Sequence, residues 1–185
     1  MPGEMDNLIA DAEIMADKIR EDFGKLSGEQ LNWMYSESAW SIGQCFDHLI
    51  TTNNLYFDKI QKVADKTHTN NWFSVIPFVP AFTGKMMKKF LGPESSKKVK
   101  TFPIFEPAKS DISETVIEDF KVNQERLISL LEATKDLNLR KIKIPEPISP
   151  VINVNLLDAF EILILHEKRH FNQAKELLAM RGFPR

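Results

Sequence analysis

His166-Glu167-Lys168-Arg169-His170 is the stretch that decides how this chain is read. It lies in a helical pattern that begins near Asn155 and runs to about Met180. The inner stripe of that pattern reads Leu156, Ala159, Leu163, His166, His170, Gln173 and Leu177. Two imidazoles one turn apart thus stand where apolar side chains belong. Burying them without partners costs roughly several kcal/mol. A metal ion removes that cost, because side chains at i and i+4 converge and neutral imidazole is a good ligand.

The rest of the composition sets bounds around this pair. The chain has 185 residues, of which 43% are hydrophobic, enough for one filled core and a single domain over 1–185. A net charge of −2 leaves no footprint for nucleic acid. The single cysteine, Cys45, excludes an internal disulfide framework and fits a reducing, cytoplasmic setting. The opening Met-Pro-Gly-Glu-Met-Asp has neither a basic nor an apolar segment, so no signal peptide is expected. The longest apolar run, Ile162 to Leu165, is too short to cross a bilayer.

Working back from the C-terminal helix, four long amphipathic helices emerge. The first is predicted from Met5 to Phe23, with Leu8, Ala12, Met15, Ile19 and Phe23 on one face and Gly24 behind it. Residues 24–40 read as a loop whose Trp33, Tyr35 and Trp40 pack one end of the core. The second helix starts after Ser41, where Ser41 and Gln44 form a capping box and Trp40 staples onto Cys45, and it runs to about Lys66. His48 falls on its inner side. The third is predicted from Ile112 to Thr134, capped by Asp111 or Ser110; Asn123 interrupts its stripe, either as a polar residue near the edge or as a partner behind the ligands. The fourth is capped by Asn155.

Between the second and third helices lies a long connection, residues 67–110, punctuated by Pro77, Pro80, Gly84, Gly92, Pro93, Pro103 and Pro107. It includes a short helix at about 81–91, with Lys85, Lys88 and Lys89 on one side and Phe82, Met86 and Phe90 on the other. Such a segment caps the core, closes a pocket as a lid, or meets an anionic ligand. Residues 141–144 form a short β-like run, and the prolines at 145, 147 and 150 argue against a central strand. The expected fold is therefore all-α: a four-helix bundle, up-down-down-up, with a long crossover between the second and third helices.

In such a bundle His48 can join His166 and His170 as a third ligand, leaving positions on a divalent ion open for water and substrate. His68 is twenty residues beyond His48, ~30 Å along a helix, and out of reach. Read literally, His166 to His170 also matches the H-E-x-x-H pattern of zinc peptidases, with Glu167 as base. That pattern needs a ligand downstream, and the only carboxylate remaining there, Glu176, sits on the same helix. Glu167 flanks the site and is the candidate proton-transfer residue; the plainer alternative is a surface carboxylate paired with Lys168 or Arg169. Gln44 and Gln173 stand where they can fix imidazole tautomers, and Cys45 reads as a buried structural thiol.

Two segments carry a family resemblance. Trp40-Ser41-Ile42-Gly43, followed by His48-Leu49, resembles the W-S-I-G-x-x-x-x-H-L signature of the DinB/YfiT-like superfamily, and His166, His170 and Gln173 resemble its H-x-x-x-H-x-x-Q signature. The resemblance covers nearly the whole chain and implies an up-down-down-up bundle, often dimeric, that binds a divalent metal through His48, His166 and His170. Zinc is the first expectation, with nickel, manganese or iron as alternatives. It implies a small-molecule substrate and either a low-molecular-weight-thiol S-transferase or a metal-dependent hydrolase. The other class of function is a metal-binding stress or interaction bundle without turnover. The long 67–110 connection and the proline-rich stretch before the last helix depart from the family pattern.

Overall fold

The computed structural model describes residues 3–70, 79–94, 101–108 and 111–185; Met1, Pro2, Pro77 and Ser110, each used in the sequence reading, lie outside them. The chain is mostly helical. Its elements run α1 (Glu4–Phe23), α2 (Gly28–Asn32), α3 (Ile42–Ala64), α4 (Val79–Leu91), a 3₁₀ turn (Pro103–Phe105), α5 (Val116–Thr134), β1 (Lys143–Glu146), β2 (Ser149–Asn155) and α6 (Leu156–Leu178). Helices α1 and α3 each pack against both α5 and α6. Among the described residues no helix is long and apolar enough to cross a membrane.

Local chemistry sets the ends of these helices. Ser41 Oγ accepts from Gln44 N at 3.1 Å and Gln44 Oε1 accepts from Ser41 N at 3.0 Å, so the predicted capping box opens α3. Asn155 Oδ1 accepts from Asp158 N at 2.9 Å and opens α6. Two details differ from expectation. Ser27 and Gln30 form a second capping box, which starts the short α2 inside the expected loop. Helix α5 begins at Val116 behind Thr115, not behind Asp111, whose φ of 55° lies in the left-handed region.

The all-α expectation is corrected by the β1–β2 hairpin. Its strands pair antiparallel, Ile144 opposite Val154 and Pro145 opposite Asn153, with a register shift after Pro145. The prolines do not prevent it, because each strand of a two-stranded hairpin has a free edge where a missing N–H goes unnoticed. Ile144 and Val154 are fully buried against the helices. Glu146, also buried, accepts from the Tyr56 hydroxyl on α3 at 2.5 Å, while its other oxygen has no partner. Burial pushes its carboxyl up to about 7.

Helix α4 lies along α6 and β2. Its packing face is Gly84, Met87, Lys88 and Leu91, while Phe82 and Met86 face outward. Of the expected apolar side, Phe82 and Met86 are thus exposed while Phe90 is partly buried. Charge also ties the helix down: Lys88 Nζ reaches Asp158 Oδ1 at 2.6 Å and also Glu161, both in the first turns of α6. At Gly84 a Cβ would lie 2.6 Å from Asp158 Cγ, so only glycine allows this approach.

The core divides into two apolar clusters. One holds Leu8, Ala12, Tyr56, Leu127, Val154 and Leu163; the other holds Met15, Phe23, Phe46, Leu49, Phe120 and Ala174. Along α3 the change from one to the other passes through Thr52 and Asn53. Along α5 it passes through Asn123 and Gln124, and along α6 through His166, Glu167 and His170. All of these are buried. A polar layer thus crosses three helices between two apolar clusters.

Gly84→Ala is expected to destabilise the fold by about 1–3 kcal/mol despite alanine's better helix propensity, seen as a lowered thermal midpoint. An unchanged midpoint would show that α4 is not docked this closely. Glu146 gives a pH signature. Its carboxyl ionises near 4.5 when unfolded and about 7 when folded, so its contribution to stability falls as pH rises through that window. The stability of Glu146→Gln relative to the parent should increase from pH 4.5 to 7.5 by on the order of 2 kcal/mol. A pH-independent difference would place the charged carboxylate in water instead.

Candidate metal centre

His48 projects from the second turn of α3, and His166 and His170 from the middle of α6. Their Nε2 atoms meet: His166 Nε2 lies 3.2 Å from that of His48 and 3.0 Å from that of His170. The three rings stand edge to face with centroids 4.6–4.9 Å apart. Each is buried, yet each keeps 4–7% of its surface exposed, so the cluster lies just beneath the protein surface. Among the described residues this is the group of histidine, cysteine and carboxylate side chains whose ligand atoms can hold one metal ion. His68 lies beyond α3, beside Asn70, and is not part of it.

Burial is the main force on these rings. Desolvation lowers the pKa of His48 and holds those of His166 and His170 well below the ordinary value, with the neighbouring rings lowering the last two further. The rings are therefore neutral at physiological pH. His48 Nδ1 lies 2.5 Å from the Phe105 carbonyl oxygen, which can only accept, so the ring proton of His48 sits on Nδ1. Its Nε2 lone pair then points into the cluster. Gln173 stands near enough to His170 to favour its charged form slightly, but His170 Nδ1 is buried without a hydrogen-bond partner.

The crossover closes one side of the centre. Asp47 accepts from Ala108 N at 2.7 Å and Gln44 Nε2 donates to Ala108 O at 3.0 Å. With Phe105 on His48, three consecutive contacts strap residues 105–108 across the start of α3. Gln44 thus serves the cap and the strap, while the partner of the His48 ring is Phe105. Trp40 covers another side, with its ring 4.8 Å from that of His48 and stacked at 5.7 Å on His170. The sequence reading places Trp40 at one end of the core, stapled onto Cys45 and within the W-S-I-G signature, but not against the imidazoles. Cys45 itself is buried, its thiol pushed up to about 12 by desolvation, and it is not part of the cluster.

Glu167 lies elsewhere than a surface pairing would put it. It is fully buried, and its Oε1 accepts from Asn53 Nδ2 at 2.9 Å and from Gln124 Nε2 at 2.6 Å. Asn53 also donates to Asn123 Oδ1 at 2.8 Å, so Asn123 belongs to this interior network and not to the edge of its stripe. Lys168 pairs with Asp11 instead, and Arg169 donates to the Phe90 carbonyl at the end of α4. Burial raises the Glu167 carboxyl to about 7, against the two amide hydrogen bonds. Asn53 and Gln124 escaped the sequence reading. The available signal was a pair of adjacent amide residues at the midpoint of an otherwise apolar helix face.

A family model described as the DinB superfamily matches residues 12–174. No curated protein and no solved structure matches the chain. The matched region runs from the first helix through His48, His166 and His170, and the chain belongs to the DinB superfamily.

Proposed function

We propose that His48, His166 and His170 hold a divalent metal ion, zinc in the first instance, with nickel, manganese and iron as alternatives. One observation carries this reading: His166 Nε2 lies within 3.2 Å of the Nε2 atoms of both His48 and His170, more contacts than neutral rings can satisfy. The His48 Nε2 lone pair faces His166 Nε2. A neutral His166 has at most one proton on Nε2, or one lone pair there. It can donate to His48 or accept from His170, but not both. Neutral rings therefore leave one of the two contacts unmade, and desolvation opposes adding a charge. A cation at the common centre satisfies all three lone pairs. The observed spacings also fit: two bonds of about 2.1 Å would subtend about 90–100° at the ion.

The chemistry we infer is that of a thiol S-transferase or hydrolase acting on a small molecule. When bound, a divalent ion supplies Lewis acidity, which favours the deprotonated form of a thiol or of water near neutral pH. The chain's own residues set the conditions for it. Phe105 O holds the His48 proton on Nδ1 and so aims Nε2 inward. Trp40 and the 105–108 strap cover two sides of the cluster. We also propose that the four long helices form an up-down-down-up bundle; that α1 and α3 each touch both α5 and α6 is in keeping with a four-helix arrangement. We further propose one domain over the whole chain, a cytoplasmic location, and a homodimer in solution, as helical bundles of this size often form.

Protein purified without an affinity tag, loaded with Zn²⁺ and dialysed, should retain about one equivalent of metal, and His166→Ala less than a tenth. Under a tenth in the parent, or equal retention in both, would remove the metal reading. Thiol conjugation and ester or amide hydrolysis assayed with Zn²⁺, Ni²⁺, Mn²⁺ and Fe²⁺ then test the enzyme. Metal binding without metal-dependent turnover would assign the binding role in place of catalysis.

A further inference from the structure

We propose that Glu167 is a positioning residue for this centre: by joining α3, α5 and α6 through a single carboxylate oxygen, it fixes the rotation and height of α6 at which His166 and His170 meet His48. The inference rests on the metal reading and deepens it. Two of the three ligands ride on α6 and the third on α3, so the cluster exists only at one setting of α6 against α3. One residue from His166, Glu167 Oε1 is gripped by Asn53 of α3 and Gln124 of α5. Asn53 sits five residues after His48, on the same helix, and is itself held by Asn123. The brace therefore links the two ligand-bearing helices at the level of the ligands, with α5 as the third anchor.

Packing alone does not account for it. Among the described residues no cation pairs with this carboxyl group at zero exposure, so its burial is costly, and an apolar side chain would fill the space between the two clusters more cheaply. Leucine side chains slide and rotate past one another with small penalties, whereas an oxygen held by two amides has one favourable position. Nor does the accepting oxygen serve as a free base: it is already occupied by two donors from helices other than its own.

The brace predicts a distinct pattern of variants. Glu167→Gln keeps an oxygen for Asn53 and Gln124, and its new amide hydrogens replace an oxygen that has no partner. Glu167→Leu removes the grip, and Gln124→Met removes one arm. With Co²⁺ as the probe, Glu167→Gln should bind within about threefold of the parent and show the same visible absorption bands. Glu167→Leu should bind about 10–100-fold more weakly with altered bands, and Gln124→Met should fall between them. A residue that serves stability alone would lower the thermal midpoint of the metal-free protein and leave affinity and bands unchanged. That result in Glu167→Leu would overturn the proposal. If Glu167→Leu does not fold, parental affinity and bands in Gln124→Met would overturn it instead. Failure of the parent to bind Co²⁺ would strike the metal reading itself, and the brace with it.

Discussion

Three neutral imidazoles and a carboxylate share one buried layer of this protein, and their desolvation is the constraint around which the rest is arranged. Nothing in an apolar core calls for such a layer, and each group in it must find a partner. The partners come from every side: amides from α3 and α5 for Glu167, and a crossover carbonyl for His48. The three Nε2 atoms that remain face one another. The apolar clusters above and below supply the stability that makes this tolerable, since each buries large side chains such as Phe23, Phe46, Phe57 and Phe160 completely.

The same constraint explains why the connections look as they do. The crossover returns to α3 with the Phe105 carbonyl and both polar groups of Ala108 directed at the first turns of that helix. This is a backbone contact to the His48 ring, and it sets that ring's tautomer. Helix α4 is held on α6 by Lys88 and by the close approach at Gly84, and Arg169 ties its far end beside His170. The hairpin seals the other end of the core through Ile144, Val154 and the Tyr56 to Glu146 contact. Ordinary packing thus surrounds a site whose own members would be unstable in isolation.

How much of this was legible in the sequence depends on the range of the interaction. Local signals worked. The Ser41 and Gln44 capping box, the Asn155 cap and the inward period of His48, His166 and His170 all arise within a turn or two of the chain. Interactions between distant segments were not legible. Lys88 meets Asp158 and Glu161 across some seventy residues, and no local pattern announces that pairing. The Phe105 carbonyl carries no side-chain signature at all. Asn53 and Gln124 each look like an unremarkable polar residue alone, and the sequence marks Glu167 as a proton-transfer candidate without its partners; the contact among them exists only when three helices bring them to one level. The β2 strand was hidden by Pro150, because a rule about central strands says little about a hairpin with two free edges.

X-ray absorption at the edge of the bound metal tests the central claim most directly. The account predicts three imidazole nitrogens at about 2.1 Å, with the outer-shell scattering that rigid rings produce. In His48→Ala one of the three should be lost and the other two retained. A first shell with one imidazole or none, or a spectrum unchanged by the loss of His48, would contradict the claim that these three rings share an ion.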